Sequence, residues 1–186
     1  LCYTPRADAP APGEAPCRRN GYVTFGSFNN CTKITDEVLA VWQAVLQRVP
    51  GSRLLLKGSL FDDAEGRVLM GRRLRQQGID SGCVELRGFG VEYLGEYADV
   101  DIALDTFPYP GGGTTCDALY MGVPVISLSG ASHGARFGCS LLQNAGLPEL
   151  CASSTEEYIE KAVLLAGQPE LLAGLHQSLR TLLAAS

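Results

Sequence analysis

Several residue types that build common functional sites are scarce in this 186-residue sequence. It has two histidines and no C-x-x-C pair, which excludes the usual ligand sets of zinc. No apolar run approaches the roughly 20 residues that span a bilayer, and the start of the chain has no apolar core behind basic residues, which excludes a signal peptide. The acidic excess, 20 Asp and Glu against 15 Lys and Arg, argues against nucleic-acid binding. We therefore expect a cytoplasmic protein without membrane or nucleic-acid partners.

The cysteines do not predict a disulfide framework. Their number is odd and their spacings are wide, so we expect most of them to be small buried apolar groups in a reducing compartment. The seven are Cys2, Cys17, Cys31, Cys83, Cys116, Cys139 and Cys151.

Lysine is also rare. Only Lys33, Lys57 and Lys161 occur, and the other cationic residues are arginines. A lysine in a candidate functional loop is therefore informative in this chain.

The first 20 residues have the composition of an extended arm. They contain Pro5, Pro10, Pro12 and Pro16 and show no periodic apolar pattern. We expect residues 1–20 to link this chain to an upstream part, and residues 21–186 to form one domain with a substantial core.

Strand and helix patterns alternate after Gly21. Short apolar strand segments, separated by amphipathic helices, predict a parallel sheet that is covered on both faces, which is a doubly wound, Rossmann-like α/β fold. Strands are predicted at 21–25, 53–57, 84–87, 100–104 and 123–127. Helices are predicted from a Thr35 cap to Pro50, and at 62–77, 114–121, 135–144, 155–166 and 169–184.

The loops after the predicted strands carry the candidate site, because ligands of such sheets bind at the carboxyl ends of the strands. In the first loop, residues 26–33, Lys33 stands just before a helix. An ammonium there adds to the positive end of the helix dipole, which suits a diphosphate. A capped loop with a solvated lysine is an equally open interpretation.

The second loop, residues 105–117, reads DTFPYPGGGTTCD. Backbone N–H groups after Gly112, at Gly113, Thr114 and Thr115, are suited to phosphate oxygens, with the threonine hydroxyls as further donors. Asp117 lies one turn into the helix and is suited to ribose hydroxyls. The loop matches neither the P-loop nor the dinucleotide fingerprint. An ordinary capped helix is the alternative, although three glycines exceed what capping needs.

Other candidate residues carry weaker signals. His133 and Arg136 follow the fifth strand on the same edge, with structural and ligand-binding roles equally open. Lys57 begins a fourth loop whose signal is weak by itself. His176, in the last helix, is expected to be a surface residue, and that helix is expected to pack on a part of the protein outside this chain.

Asp99-Val100-Asp101 matches the D-x-D pattern that holds a divalent metal in some nucleotide-sugar enzymes. We reject a metal role, because the pair enters a buried strand at the end opposite to the glycine loop.

Four segments resemble the C-terminal catalytic half of the O-GlcNAc transferase family, the SPINDLY-like peptide O-linked N-acetylglucosaminyltransferases. They are GYVTFGSFNNCTKI, VPGSRLLLKG, VDIALDTFPYPGGGTTCDALYMGVPVISL and GARFGCSLLQNAGLPEL. The resemblance implies the C-terminal half of a GT-B fold. It implies UDP-GlcNAc as donor, inverting transfer to Ser or Thr of a protein acceptor, and neither cofactor nor metal. It also implies an N-terminal catalytic half and tetratricopeptide repeats upstream.

The resemblance also implies roles for single residues. Lys33 matches the lysine that contacts the diphosphate and stabilises the leaving UDP. Asn30 matches a polar donor-site residue, residues 113–115 match the phosphate loop, and Asp117 matches the acidic residue on the ribose. Arg136 falls on an arginine of the following helix.

The sequence departs from the family around Tyr93, which falls where a histidine near the uracil is common, in a shortened loop. An aromatic ring there can still stack on a base. We expect the isolated chain to bind UDP weakly and to transfer no sugar. The alternatives are a non-catalytic nucleotide-binding or interaction module, and a GT-B transferase or epimerase that uses another UDP-sugar.

Overall fold

A computed structural model describes residues 3–185 and contains one six-stranded parallel sheet. The strand order is β3-β2-β1-β4-β5-β6, with every neighbouring pair parallel. The strands are β1 Thr24–Ser27, β2 Arg53–Lys57, β3 Val84–Arg87, β4 Ile102–Leu104, β5 Val125–Leu128 and β6 Cys151–Ala152. The predicted doubly wound, Rossmann-like fold is confirmed.

Seven α-helices of the described chain connect or follow these strands. Short 3-10 turns, including residues Tyr93–Asp99 between β3 and β4, supply the other connections. The helices are α1 Cys17–Asn20, α2 Asp36–Arg48, α3 Ala64–Gln76, α4 Gly113–Tyr120, α5 Phe137–Asn144, α6 Thr155–Ala166 and α7 Pro169–Ala185.

Most differences from the predicted elements are shifts of one to three residues at their ends. Predicted strand 21–25 becomes Thr24–Ser27, because pairing with β2 begins only at Thr24. The helix predicted at 135–144 begins with a 3-10 turn at Gly134–Arg136. The two-residue β6 was not predicted, since so short a strand leaves no periodic signal.

The core lies on both faces of the sheet. The strand order reverses direction after β1, so right-handed crossovers place α2 and α3 on one face and α4 and α5 on the other. Helix α6, which follows β6, contacts α2. Trp42 of α2 and Tyr158 of α6 are fully buried, and the Trp42 indole N–H donates to the Tyr158 hydroxyl at 3.2 Å. The Tyr158 hydroxyl in turn donates to the carbonyl oxygen of Asp105 at 2.9 Å. This chain of bonds connects the helical layer to the end of β4.

The expectation that His176 lies on the surface is wrong. Its side chain is only 2% exposed, and Nε2 lies 2.9 Å from the carbonyl oxygen of Asp101. Helix α7 packs against α4 and α6 of this chain, and that contact encloses the imidazole.

Asp101 of the D-x-D pair has a structural role. Its two carboxylate oxygens accept the backbone N–H groups of Cys17 and Thr24, each at 2.8 Å. Asp99 instead pairs with Arg19 and Arg87 near the surface. The Asp101 carboxylate thereby fixes the end of the arm to the start of β1.

The arm, residues 1–20, is irregular over 3–16 and ends in α1, and residues 1 and 2 lie outside the described residues. It packs on the domain: Ala15 is buried, and Arg180 of α7 donates to the carbonyl oxygen of Pro10 at 2.6 Å. Ser186, at the other end of the predicted domain, is also outside the described part.

The expectation of no disulfide is wrong, because Cys139 and Cys151 are bonded. Helix α5 packs against β6, which brings their Cα atoms to 5.2 Å although 12 positions separate them in sequence. Spacing alone cannot reveal such a pair. Cys31 and Cys116 are buried thiols as expected, Cys17 and Cys83 are half-buried, and Cys2 lies outside the described residues.

Over residues 3–185, none of the helices combines the length and the apolar character that crossing a membrane requires.

The burial of His176 predicts a pH dependence of stability. Burial lowers the pKa of this imidazole, and the hydrogen bond and charge of Asp101 only partly oppose the effect. Below the ordinary histidine pKa of about 6.5, the unfolded chain takes up a proton that the folded chain refuses. The free energy of unfolding therefore falls as pH drops from 7 towards 5, by up to about 1.4 kcal/mol per pH unit.

Urea denaturation across this pH range tests the prediction. His176→Gln should remove this component of the slope, whereas His133→Gln, at an exposed position, should retain it. Equal slopes for wild type and His176→Gln would contradict the prediction.

Candidate functional site

The candidate site lies where β1 and β4, neighbours in the sheet, both end. The chain winds in opposite directions from these two strands, so the loops that follow them diverge and leave a crevice. The loop after β1 begins at Phe28, and the loop after β4 begins at Asp105. The two loops with the strongest sequence signals are therefore adjacent.

Lys33 connects the two loops. It is half-buried at the end of a 3-10 turn, Cys31–Lys33, just before α2, and its Nζ donates to the carbonyl oxygen of Pro110 at 2.9 Å. Asn30 caps this turn, because its side-chain oxygen accepts the backbone N–H of Thr32 at 3.0 Å. Pro110 comes two residues before Gly112, so the ammonium lies beside the glycine loop.

The buried carboxylate of Asp105 holds the glycine loop in place through hydrogen bonds. Its side chain is 2% exposed, and Oδ1 accepts the backbone N–H groups of Thr106 and Gly111 at 2.9 and 2.6 Å. Asn29 Nδ2 donates to the same oxygen at 2.9 Å, and Ser127 Oγ donates to Oδ2 at 2.8 Å. Burial raises the pKa of Asp105, while these four donors oppose the rise by stabilising the carboxylate.

The loop leaves little room for a side chain at Gly111. A Cβ at this position would lie 2.5 Å from the hydroxyl oxygens of Thr114 and Thr115, and 2.7 Å from Oδ1 of Asn29. The Thr114 hydroxyl donates its proton to Asn29 Oδ1. In this structure the Thr114 hydroxyl therefore supports the loop rather than pointing its proton at a ligand.

The start of α4 presents unpaired backbone donors. The N–H groups of Gly113, Thr114 and Thr115 precede the first intrahelical bond, which runs from Cys116 to Gly112. Over residues 3–185 these three groups have no hydrogen-bond acceptor. Gly113 is exposed and Lys33 lies beside the same loop, so this end of the helix can receive an anion.

A cleft of about 250 Å³ adjoins the start of α4. It is shared by the loops after β1, β2 and β3 and by α4, and its walls are mainly apolar. Phe28 packs on Tyr97 with ring centroids 4.2 Å apart, which fixes one aromatic wall. The lining residues are Phe28, Lys57, Gly58, Phe89, Tyr93 and Thr114.

Tyr93 lies between this cleft and Asp117. Its hydroxyl donates to Asp117 Oδ2 at 2.7 Å, and burial together with this bond raises the pKa of Tyr93 to about 12. The Tyr3 hydroxyl of the arm donates to Asp117 Oδ1 at 2.6 Å. Both oxygens of the half-buried carboxylate therefore accept hydroxyl protons, which is the chemistry that ribose hydroxyls also offer.

His133 and Arg136 lie apart from this cluster. Both are exposed, and the Arg136 guanidinium donates to the carbonyl oxygen of Ala131 within its own loop. In the part of the chain that the structure describes, no hydrogen bond joins either residue to the other predicted site residues, and no cluster of His, Cys, Asp or Glu could hold a metal ion. Phe137, the next residue, lies against Gly112.

Sequence reasoning missed four residues of the site: Asn29, Asp105, Phe89 and Phe28. Asn29 stands beside Asn30, and sequence gives no means to tell which amide turns inward. Asp105 follows a buried strand directly, and a carboxylate in that position is a signal that could have been used. Lys57, given little weight, is buried in the wall of the cleft.

The sequence comparison decides the family. The model of glycosyl transferase family 41 matches residues 18–186. This chain belongs to that family. A SPINDLY protein of Petunia hybrida, described as a probable UDP-N-acetylglucosamine–peptide N-acetylglucosaminyltransferase, is 43% identical over 189 aligned positions. That alignment covers 100% of this chain and 20% of the relative, so the chain spans about a fifth of the relative's length.

Two solved structures share the fold of this chain. An O-GlcNAc transferase mutant from Thermobaculum terrenum matches 97% of this chain with a TM-score of 0.88 and 38% identity, and 34% of that chain is covered. The C-terminal domain of a glycosyl transferase group 1 protein from Francisella tularensis matches with a TM-score of 0.65 and 16% identity, covering 95% of this chain and 94% of that one. The latter shows the fold alone, which is that of a GT-B C-terminal half.

The crowding at Gly111 predicts a large effect of a single methyl group. Gly111→Ala should lower the free energy of unfolding by about 1–3 kcal/mol, because the added Cβ must displace two threonine hydroxyls and an amide. Urea denaturation measures the change.

Gly113→Ala is the matched control, because a Cβ there meets nothing within 4 Å. Its stability should stay level or rise slightly, since alanine favours a helix more than glycine does. Similar losses in the two variants would contradict the assigned packing.

Proposed function

We propose that this chain is the donor-binding half of an inverting, metal-independent UDP-GlcNAc:protein Ser/Thr O-N-acetylglucosaminyltransferase. The observation that carries the proposal is the juxtaposition of Lys33 with the free N–H groups at the start of α4. The Petunia relative, a probable UDP-N-acetylglucosamine–peptide N-acetylglucosaminyltransferase, supports the donor and the type of acceptor.

The diphosphate would bind at the start of α4. Backbone N–H groups of Gly113, Thr114 and Thr115 suit its oxygens, and the Lys33 ammonium adds a full positive charge. Together they supply the charge that a divalent metal would otherwise supply. This is why we propose transfer that does not require a metal.

The nucleoside would extend from the diphosphate into the adjoining cleft. Phe28, Phe89 and Tyr93 offer apolar and aromatic walls for a planar base. Asp117 would accept ribose hydroxyls in place of one or both tyrosine hydroxyls that it accepts in this structure. Arg136 and His133 remain candidates for the sugar side of the donor, on the same edge of the sheet.

Catalysis would depend on stabilising UDP as the leaving group. As the bond to the sugar breaks, negative charge grows on UDP, and Lys33 and the helix N–H groups interact more strongly with that state than with the intact donor. Lys33 would therefore raise the rate as well as hold the donor. The Asp105 network would keep these donors in place before the ligand arrives.

The acceptor chemistry is assigned to other parts of the protein. We propose that a second catalytic half supplies the general base and the acceptor groove, that tetratricopeptide repeats select protein acceptors, and that the enzyme works in the cytoplasm. On this proposal the isolated chain binds UDP weakly and transfers no sugar. Robust transfer by the purified chain would overturn that part.

Calorimetric titration of UDP tests the binding site directly. Wild type should bind UDP with a dissociation constant near the millimolar range, and Mg²⁺ should change the affinity less than about twofold. Lys33→Ala should weaken binding about tenfold or more, because it removes a charge-assisted hydrogen bond.

Lys161→Ala is the control, because Lys161 lies on α6 and pairs with Glu157 there. It should bind UDP like wild type. An absolute need for Mg²⁺, or equal binding by Lys33→Ala and wild type, would contradict the proposed site. No binding by wild type at 10 mM UDP would contradict the donor-binding function of this chain.

A further inference from the structure

Lys57 is a buried cation in the wall of the cleft. It ends β2, and its side chain is 7% exposed. Nζ lies 2.6 Å from Glu96 Oε1 and donates to the carbonyl oxygen of Gly88 at 2.6 Å. Since Gly88 precedes Phe89 and Glu96 follows Tyr93, Lys57 also holds both ends of the loop that carries these two aromatic side chains.

Stability alone gives a weak reason for this arrangement. Taking an ammonium and a carboxylate out of water costs several kcal/mol per ion, and the attraction between them often does no more than offset the cost. An apolar side chain at the end of β2 would fill the same space beside Phe28. The retained charge therefore calls for a function in the cleft.

The donor count supplies that function. An ammonium has three N–H donors and no acceptor. Two donors are assigned to Glu96 and Gly88, and residues 3–185 provide no third acceptor for Lys57. Because Lys57 lines the cleft, the third donor is available to a ligand there.

We infer that Lys57 donates to the carbonyl oxygen at position 4 of a bound pyrimidine base and so selects uracil. The inference rests on the proposed function, which puts a nucleotide in this site. Among residues 3–185, Lys57 is the one cationic residue in the lining of the cleft, whose other side chains are aromatic apart from Thr114. The aromatic walls fix the plane of the base, and the ammonium then distinguishes its edges.

Uracil and cytosine separate this role from general electrostatic attraction. The two pyrimidines have the same size, but position 4 carries a carbonyl oxygen in uracil and an amino group in cytosine. A lysine N–H can donate to the carbonyl oxygen of uracil. In cytosine it meets an amino group, which is itself a hydrogen-bond donor. Attraction between Lys57 and the diphosphate would favour UDP and CDP equally.

The experiment measures the affinity of this chain for UDP and for CDP by calorimetry. Wild type should prefer UDP by about tenfold or more, which is the usual discrimination of one matched base contact. In Lys57→Met the preference should fall to within about twofold. The double variant Lys57→Met/Glu96→Gln should show the same loss of preference as Lys57→Met. It also avoids leaving the Glu96 carboxylate without its partner.

Two controls separate this inference from the proposed function. Lys33→Ala should weaken UDP and CDP binding equally and keep their ratio, whereas Lys161→Ala should change neither affinity. Thermal melting confirms that each variant is folded.

Three outcomes would overturn the inference. Equal affinity of wild type for UDP and CDP would do so while leaving the proposed site intact. So would an unchanged ratio in both Lys57 variants, because Lys57 would then only support the loop. Binding of neither nucleotide by wild type would contradict the proposed function and this inference with it.

Discussion

The buried carboxylate of Asp105 is the constraint on which the candidate site depends. It lies at the end of β4 and accepts four hydrogen bonds, which come from the two loops that form the crevice and from β5. A buried charge with fewer partners would be costly, so the geometry that satisfies it is strongly favoured. Because Gly111 is one of the donors, satisfying Asp105 also sets the path of the chain into α4.

This arrangement separates two kinds of positive charge. The N–H groups at the start of α4 are held rigidly by the loop below them, whereas Lys33 reaches the same loop on a flexible stem from the opposite side of the crevice. Lys57 lies on the far side of the cleft, paired with Glu96. Two of the three lysines of the chain thus lie at one edge of the sheet.

Much of the fold could be predicted because its signals are local. Thr35 caps α2 as expected, and the strand limits 53–57 and 84–87 were predicted correctly, since apolar periodicity and capping residues act over a few positions. The burial of His176 and the Cys139–Cys151 bond could not be predicted, because each depends on which distant elements pack together.

The candidate site likewise has features that could be predicted from the sequence and features that could not. The glycine loop and Lys33 were visible in the sequence, since their residue types are unusual at their positions. Asn29 rather than Asn30 turns inward, and Asn29 accepts the Thr114 proton. Both features depend on side-chain orientation in the folded chain and have no sequence signal.

The most direct test of this account is an amide NMR titration of the isotope-labelled chain with UDP. The account predicts that the amide resonances of Gly113, Thr114 and Thr115 shift together with those of the loop that carries Lys33, because the diphosphate accepts hydrogen bonds there. Resonances around Arg53, in a groove at the opposite end of the sheet, should stay in place. Shifts confined to that groove, with the start of α4 unperturbed, would contradict the account.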